Sequence, residues 1–235
     1  MNNERKVLDH GFVKLLNLSG PVRRPDEEFD ASDRDPAITA RISFDNMEQE
    51  RTEDQDHKLL KYLMNNKHTS PLEFVEIWVE FKLPLFVARQ TMRHRTFVYN
   101  EISGRYAKLP EEFYIPELVG GKGGSNKQGQ VDNLPSREQE WFKEALHSQC
   151  SSSYAMYEEA LDKGVANEHA RLFLHLNNYT RYVCKANLPN WLHFLSLRLH
   201  EHAQVETRQY AKAVYELIKQ HLPESMKCFE DYRLK

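Results

Sequence analysis

Residues 74–93 read Phe-Val-Glu-Ile-Trp-Val-Glu-Phe-Lys-Leu-Pro-Leu-Phe-Val-Ala-Arg-Gln-Thr-Met-Arg. Val75, Ile77, Val79, Phe81 and Leu83 alternate with Phe74, Glu76, Trp78, Glu80 and Lys82. A period of two puts alternate side chains on opposite faces, so this is a strand with one strongly apolar side. Pro84 ends the strand and suits the first turn of a helix, where its missing N–H costs nothing. In that helix Leu85, Ala88 and Met92 share one face, and Phe86, Arg89, Gln90 and Arg93 another. Arg89, Gln90 and Arg93 can then point together off the end of a buried strand. A strand feeding a helix predicts an α/β architecture and places polar chemistry at their junction.

Working outward, residues 11–20 read as a strand and turn, 21–36 as a charged loop with three prolines, and 38–44 as a short element. Leu59, Leu60, Leu63 and Met64 recur at helical spacing within 55–66. On the other side, 113–116 reads as a short strand and 117–136 as a mobile surface loop. The run Gly120-Gly121-Lys122-Gly123-Gly124-Ser125 lacks the Gly-x4-Gly-Lys-Ser/Thr spacing of a phosphate loop, and no helix pattern starts there. A long helix is expected over 138–163, capped by Gly164, and a second over 166–174. Residues 176–187 allow a strand or an irregular link, and further helices are expected over 189–199 and 202–220. The expectation is one α/β domain, 1–235, with a small sheet and many helices and no internal repeat.

Composition narrows the function. Apolar residues make up 40% of the chain, enough for a core, and the formal net charge is −3. That charge argues against a dedicated nucleic-acid binder, which is usually basic overall. No apolar run approaches membrane-spanning length, and the polar start Met-Asn-Asn-Glu-Arg-Lys is followed by no apolar signal core. Cys150, Cys184 and Cys228 are odd in number and widely spaced, with neither a metal nor a disulfide pattern, so a reducing cytoplasm is expected.

Residues 93–106, Arg-His-Arg-Thr-Phe-Val-Tyr-Asn-Glu-Ile-Ser-Gly-Arg-Tyr, concentrate the chemistry. Arginine forks match phosphate oxygens two at a time. Ser103-Gly104 can offer a hydroxyl and a closely approaching N–H to an anion. Glu101 cannot hold a phosphate; it either partners the arginines or accepts from hydroxyl or imide N–H groups, and a sugar phosphate meets both needs. Ser103 is a poor nucleophile candidate, since only His94 lies nearby in sequence and Gly-x-Ser-x-Gly is absent. His200-Glu201-His202 does not match His-Glu-x-x-His and makes a weak metal signal, so no metal is expected. Arg198, in an apolar context, is either a member of a structural ion pair or a stabiliser of a developing oxyanion. A non-enzymatic RNA- or DNA-binding module using the arginines is the rival reading. It requires steeply salt-dependent binding, and the overall acidity counts against it.

Together these residues resemble the flavin-dependent thymidylate synthase signature, Arg-His-Arg-x-x-Ser-x-x-Glu-x-Ser-x-Arg, with Val98 standing at its first serine. Ala40-Arg41-Ile42-Ser43-Phe44, His68-Thr69-Ser70-Pro71-Leu72-Glu73 and Phe86-Val87-Ala88-Arg89-Gln90 are similar to other family segments. So are Asn187, His193-Phe194-Leu195, Leu197-Arg198 and Ala203-Gln204-x-Glu206, while Pro189 replaces a commonly basic residue. The resemblance runs in order from Gly11 to Ala213. It implies an α+β fold with a small, twisted, mainly antiparallel sheet packed with helices. It implies a homotetramer with shared active sites that methylates dUMP to dTMP. Methylenetetrahydrofolate is the implied carbon donor, FAD reduced by NADPH the hydride source, and no enzyme nucleophile attacks. It implies that Arg198 polarises the uracil ring, and that Gln90, Arg93, Glu101, Ser103, Gly104, Arg105 and Arg171 hold dUMP. It implies that Ser70, Arg93, His94, Arg95, Glu101, Asn187 and His193 contact FAD, with Ser43, His68 and Glu73 at the flavin rim. FAD would have to be held by side chains, because Gly-x-Gly-x-x-Gly is missing.

Overall fold

A computed structural model describes residues 2–46, 49–122 and 130–233. The chain begins with strands β1 (Glu4–Val7) and β2 (Gly11–Ser19), then helices α1 (Asp35–Ala40) and α2 (Glu53–Asn65). Strand β3 (Glu76–Pro84) runs directly into α3 (Leu85–Thr91), followed by β4 (Val98–Glu101), β5 (Gly120–Lys122) and β6 (Gln130–Asn133). The long helix α4 (Ser136–Asp162) and the short α5 (Asn167–Ala170) precede β7 (Tyr179–Asn187), and α6 (Leu188–Arg198), α7 (Val205–His221) and α8 (Pro223–Arg233) follow. Single 3-10 turns lie at Arg41–Phe44, Ser70–Phe74 and Arg171–Phe173.

Five strands form one sheet in the order β1-β2-β3-β7-β4, and every neighbouring pair is antiparallel. The expected alternation of β3 holds. Ile77, Val79, Phe81 and Leu83 face inward with at most 1% exposure, and Glu76 and Lys82 lie on the other face. Strand β7 pairs along the whole of β3, from Glu76↔Asn187 to Pro84↔Tyr179. It turns Thr180, Tyr182, Cys184 and Ala186 inward. On the outer face Lys185 pairs with Glu76 at 3.1 Å and lies over the Trp78 ring, and Arg181 pairs with Glu80.

Helices α6 and α7 cover the inner face, and α8 packs on α7 and α2. Phe81 packs among Tyr182, Trp191 and Tyr210, with ring centroids 5.3–6.4 Å away. Trp191 spends its indole N–H on the Ile77 carbonyl at 3.1 Å, which lets so large a ring be buried without an orphan donor.

Local signals explain some element ends. Thr52 and Gln55 form a reciprocal capping box that starts α2. Gly164 takes φ +80°, the left-handed conformation that ends α4 without a Cβ clash. Helix α8 is capped from far away in sequence. Asp33 accepts from the Glu224 N–H at 2.7 Å, the Ser225 N–H at 2.8 Å and the Ser225 hydroxyl at 2.5 Å.

Some expectations change. The strand expected at 113–116 is a single bridge, Phe113↔Asn178. Within 117–136, β5 and β6 pair antiparallel instead of forming loop throughout. Gly123, Gly124 and Ser125 lie outside the described residues. The element at 166–174 is α5 plus a 3-10 turn, and α7 begins at Val205, not at 202. Residues 176–187 resolve as the strand alternative. Among the described residues, no helix is long and apolar enough to cross a membrane.

Candidate functional site

The junction predicted from 74–93 positions the first group of site residues. Helix α3 ends at Thr91, whose hydroxyl donates to the Ala88 carbonyl and shares a 2.6 Å hydrogen bond with Tyr182 Oη. The chain then turns through His94, with its N–H on the Thr91 carbonyl at 3.1 Å. Tyr99 Oη, from β4, donates to the carbonyls of Thr91 at 2.9 Å and His94 at 3.1 Å. These buried hydroxyls staple the turn, so the Arg-His-Arg segment has a fixed backbone. Burial pushes the Tyr99 and Tyr182 phenols well above their ordinary values, so both remain neutral donors.

Arg198, the last residue of α6, reaches this turn. Its Nε donates to His94 Nε2 at 3.1 Å and its Nη2 to the Gln90 carbonyl at 2.8 Å. His94 is 7% exposed and packs edge-on against Phe194, with centroids 5.0 Å apart. Burial first, then the charges of Arg198 and His193, lower its pKa from 6.5 to about 4. The ring is therefore neutral at pH 7 and accepts at Nε2, which places its proton on Nδ1. Burial also lowers the pKa of Arg198. Among the described residues no carboxylate pairs with Arg198. A half-buried guanidinium held only by neutral acceptors keeps an uncompensated positive charge, which can stabilise a developing oxyanion in a ligand. Of the two readings open for Arg198, the ion pair is not formed.

A second group lies at and just past the end of β4. Glu101 Oε1 accepts from Thr180 Oγ1 at 2.5 Å. In the following turn, the Arg105 N–H bonds Ser103 Oγ at 3.2 Å and the Tyr106 N–H bonds the Ser103 carbonyl at 3.0 Å. Gly104 is buried, and a Cβ there would meet Arg171 Cδ at 3.2 Å and Leu109 Cδ1 at 3.0 Å. Arg171 is thus brought beside Ser103-Gly104-Arg105 from a segment 66 or more residues away. Arg105 pairs with Glu168 at 3.1 Å, and both are about half exposed, so this pair contributes little to stability. Arg93 and Arg95 are exposed and make no ion pair among the described residues.

The flavin candidates divide likewise. A cavity of about 680 Å³ beside α2 is lined by Arg41, Ser43, Arg51, His68 and Ser70, but not by Glu73. Asp56 neutralises Arg41 and accepts from Arg34 Nε at 2.7 Å, while Arg51 has no ion pair among the described residues. Asn46 Oδ1, at the cavity wall, is buried without a hydrogen-bond partner among the described residues. Hydroxyls, an uncompensated cation and an orphaned acceptor form a donor and acceptor set that fits a ribose- and phosphate-bearing cofactor such as FAD. His193 lies with His94 instead, and Asn187 lies at the start of α6. Asn187 caps α6 through Oδ1, its amide N–H groups making no hydrogen bond among the described residues, and the exposed His193 ring meets His94 at 6.0 Å.

Sequence reasoning missed the hydroxyls of Thr91, Tyr99 and Tyr182, and it missed Glu168, Asp56 and Thr207, which bonds Gln90. Tyr99 sits inside the arginine-rich stretch, and that position was the one available signal. No group of three or more His, Cys, Asp or Glu among the described residues is placed to hold a metal.

An antiparallel sheet under helices, carrying a neutral buried histidine, an unpaired half-buried arginine and a turn rich in arginine, suits an enzyme acting on an anionic, oxygen-rich substrate. Residues 27–224 match the family described as thymidylate synthase complementing protein. The flavin-dependent thymidylate synthase of Ehrlichia ruminantium (strain Gardel) is 40% identical over 99% of this chain and 74% of its own length. That of Thermus thermophilus is 42% identical over 97% of this chain and 79% of its own. The solved UMP/dUMP methylase PolB from Streptomyces cacaoi, bound with 5-Br dUMP, superposes with a TM-score of 0.84 at 25% identity, covering 98% of this chain and 99% of its own. The chain belongs to the flavin-dependent thymidylate synthase family.

Proposed function

We propose that this chain, as a single domain, carries out the reductive methylation of dUMP to dTMP, with methylenetetrahydrofolate as carbon donor and NADPH as the source of reducing equivalents. The observation that carries the reading is the contact of Arg198 with neutral His94 and the Gln90 carbonyl, which leaves its charge free for a ligand. Bound FAD, once reduced, supplies the hydride. Arg198 polarises the uracil carbonyl and stabilises the charge that develops as the ring is attacked. Gln90, Arg93, Glu101, Ser103, Gly104, Arg105 and Arg171 hold dUMP, the arginines on the phosphate and the Glu101 carboxylate on ribose hydroxyls. Ser70, Arg93, His94, Arg95, Glu101, Asn187 and His193 contact FAD, and the cavity beside α2 receives part of it through Ser43 and His68. The Ser103 hydroxyl already accepts from the Arg105 N–H and has no base among its hydrogen-bond partners, which supports a binding role over a nucleophilic one.

The split of candidates supports sites shared between copies in a homotetramer. Val98, Ile102 and Tyr106 are 60%, 40% and 81% exposed beside the arginines, a polar and apolar mixture suited to an interface. Three free buried cysteines fit a reducing cytoplasm. The test is direct. Purified protein should absorb as a flavoprotein, bleach with NADPH and form dTMP from dUMP once methylenetetrahydrofolate is added, with UMP run in parallel as substrate. A colourless protein that binds no added FAD refutes the proposal.

A further inference from the structure

We propose that Thr207, with Gln204, is a positioning residue that sets the amide of Gln90 so that an N–H faces the nucleotide. The inference rests on the reading of Gln90 as a dUMP-binding residue. Thr207 lies in the first turn of α7 and is 0% exposed. A threonine inside a helix usually returns its hydroxyl to its own backbone. Here Thr207 Oγ1 donates to Gln90 Oε1 at 3.1 Å, on another helix. Gln204, at the N-terminal cap of α7, accepts an N–H from Gln90 Nε2.

Residue 90 is therefore held on three sides. Its carbonyl takes Arg198 at 2.8 Å, its Oε1 takes Thr207, and one amide N–H goes to Gln204. Arg198 closes α6 and Gln204 precedes α7, so both ends of the 199–204 connection converge on one glutamine. A primary amide has two N–H donors. With Oε1 occupied and one N–H used, the remaining donor is what Gln90 presents to a ligand. Without the Thr207 hydroxyl the amide can rotate and present its oxygen, which repels a phosphate. The segment Ala203-Gln204-x-Glu206, together with Thr207, thus acquires a purpose: it fixes the polarity of a side chain on α3.

The experiment titrates FAD-loaded enzyme with dUMP by calorimetry in Thr207→Val, Thr207→Ser, Gln90→Ala and the Gln90→Ala/Thr207→Val double variant. Valine keeps the shape and removes one hydrogen bond, so the dUMP Kd is expected to rise roughly three- to tenfold with FAD content unchanged. Serine should restore it, and in the Gln90→Ala background valine should add nothing, because coupled residues are non-additive. A wild-type Kd in Thr207→Val, a serine variant as weak as valine, or the same loss in the Gln90→Ala background overturns the inference. A wild-type Kd in Gln90→Ala instead overturns the reading of Gln90 itself and the inference with it. Should Thr207→Val fail to fold, Thr207→Ala, which also removes the hydroxyl and suits a helix, carries the same comparison.

Discussion

Replacing Arg198 by alanine separates the chemistry from the scaffold. The side chain makes two hydrogen bonds, to His94 Nε2 at 3.1 Å and the Gln90 carbonyl at 2.8 Å. A buried acceptor left unsatisfied costs about 1–3 kcal/mol. Arg198 is only partly buried, so water can enter the vacated space, and the lower end applies: about 2 kcal/mol for the pair. That loss is tolerable for a domain stable by 5–15 kcal/mol, so the variant is expected to fold and to keep its flavin. Its catalytic loss is much larger. Removing one preorganised donor aimed at developing charge lowers turnover by about 10²–10³. Arg198→Lys keeps a charge but loses the planar fork that serves two acceptors and a ligand together, so it should recover little.

The same substitution has a second readout at His94. Burial is the first cause of its low pKa, and the Arg198 charge the second. In Arg198→Ala the imidazole pKa should rise from about 4, yet stay below 6.5 because burial remains. In the wild-type protein the unfolded chain protonates His94 first as pH falls through 6.5, so stability declines from there and levels off below about 4. The interval corresponds to at most about 3.5 kcal/mol. NMR titration of the ring, urea melts at pH 7 and pH 4.5, and dTMP formation at saturating dUMP check the three parts. Turnover within about threefold of wild type, or a His94 pKa that does not move, refutes the reasoning.

Other expectations are shorter. Arg105→Ala should weaken dUMP binding about ten- to a hundredfold, since a charge-assisted contact is worth about 1.5–3 kcal/mol, with little change in flavin content; calorimetry decides. Gly104→Ala sets a methyl 3.2 Å from Arg171 Cδ and 3.0 Å from Leu109 Cδ1, so Arg171 must shift; dUMP affinity should fall while the melting temperature barely changes. Phe81→Ala empties the centre of the aromatic cluster and should cost about 3–5 kcal/mol in denaturant unfolding.

How far the residues disclosed this in advance depended on the strength of each pattern. Strand β3 was legible because its inner face is wholly apolar and its outer face mainly charged. Strand β7 was ambiguous because its inward residues, Thr180, Tyr182, Cys184 and Ala186, are polar or small and gain burial only from β3 and the helices above. Strand β4 is four residues at a sheet edge with all but Tyr99 exposed, too short for periodicity to show. Helix α8 went unmarked because its cap is Asp33, 192 residues from Ser225. The site's arginines were legible as a motif, but their supports were not. A hydroxyl such as Thr91 or Thr207 has no sequence signature until another element comes to meet it.

The position of β7 between β3 and β4 also sets a timetable. On the ribosome, β3 and β4 emerge some 80 to 100 residues before the strand that joins them. Until it arrives, both present open backbone edges, the surfaces on which chains pair with the wrong neighbour. Such non-local closure is slow and exposes intermediates to aggregation. Glu101, at the end of β4, and Thr180, near the start of β7, meet only at that late step. The candidate site is therefore completed in the final stages of folding, and in a nascent chain stalled before residue 179 the β4 edge has no neighbour and Glu101 has no Thr180 to bond.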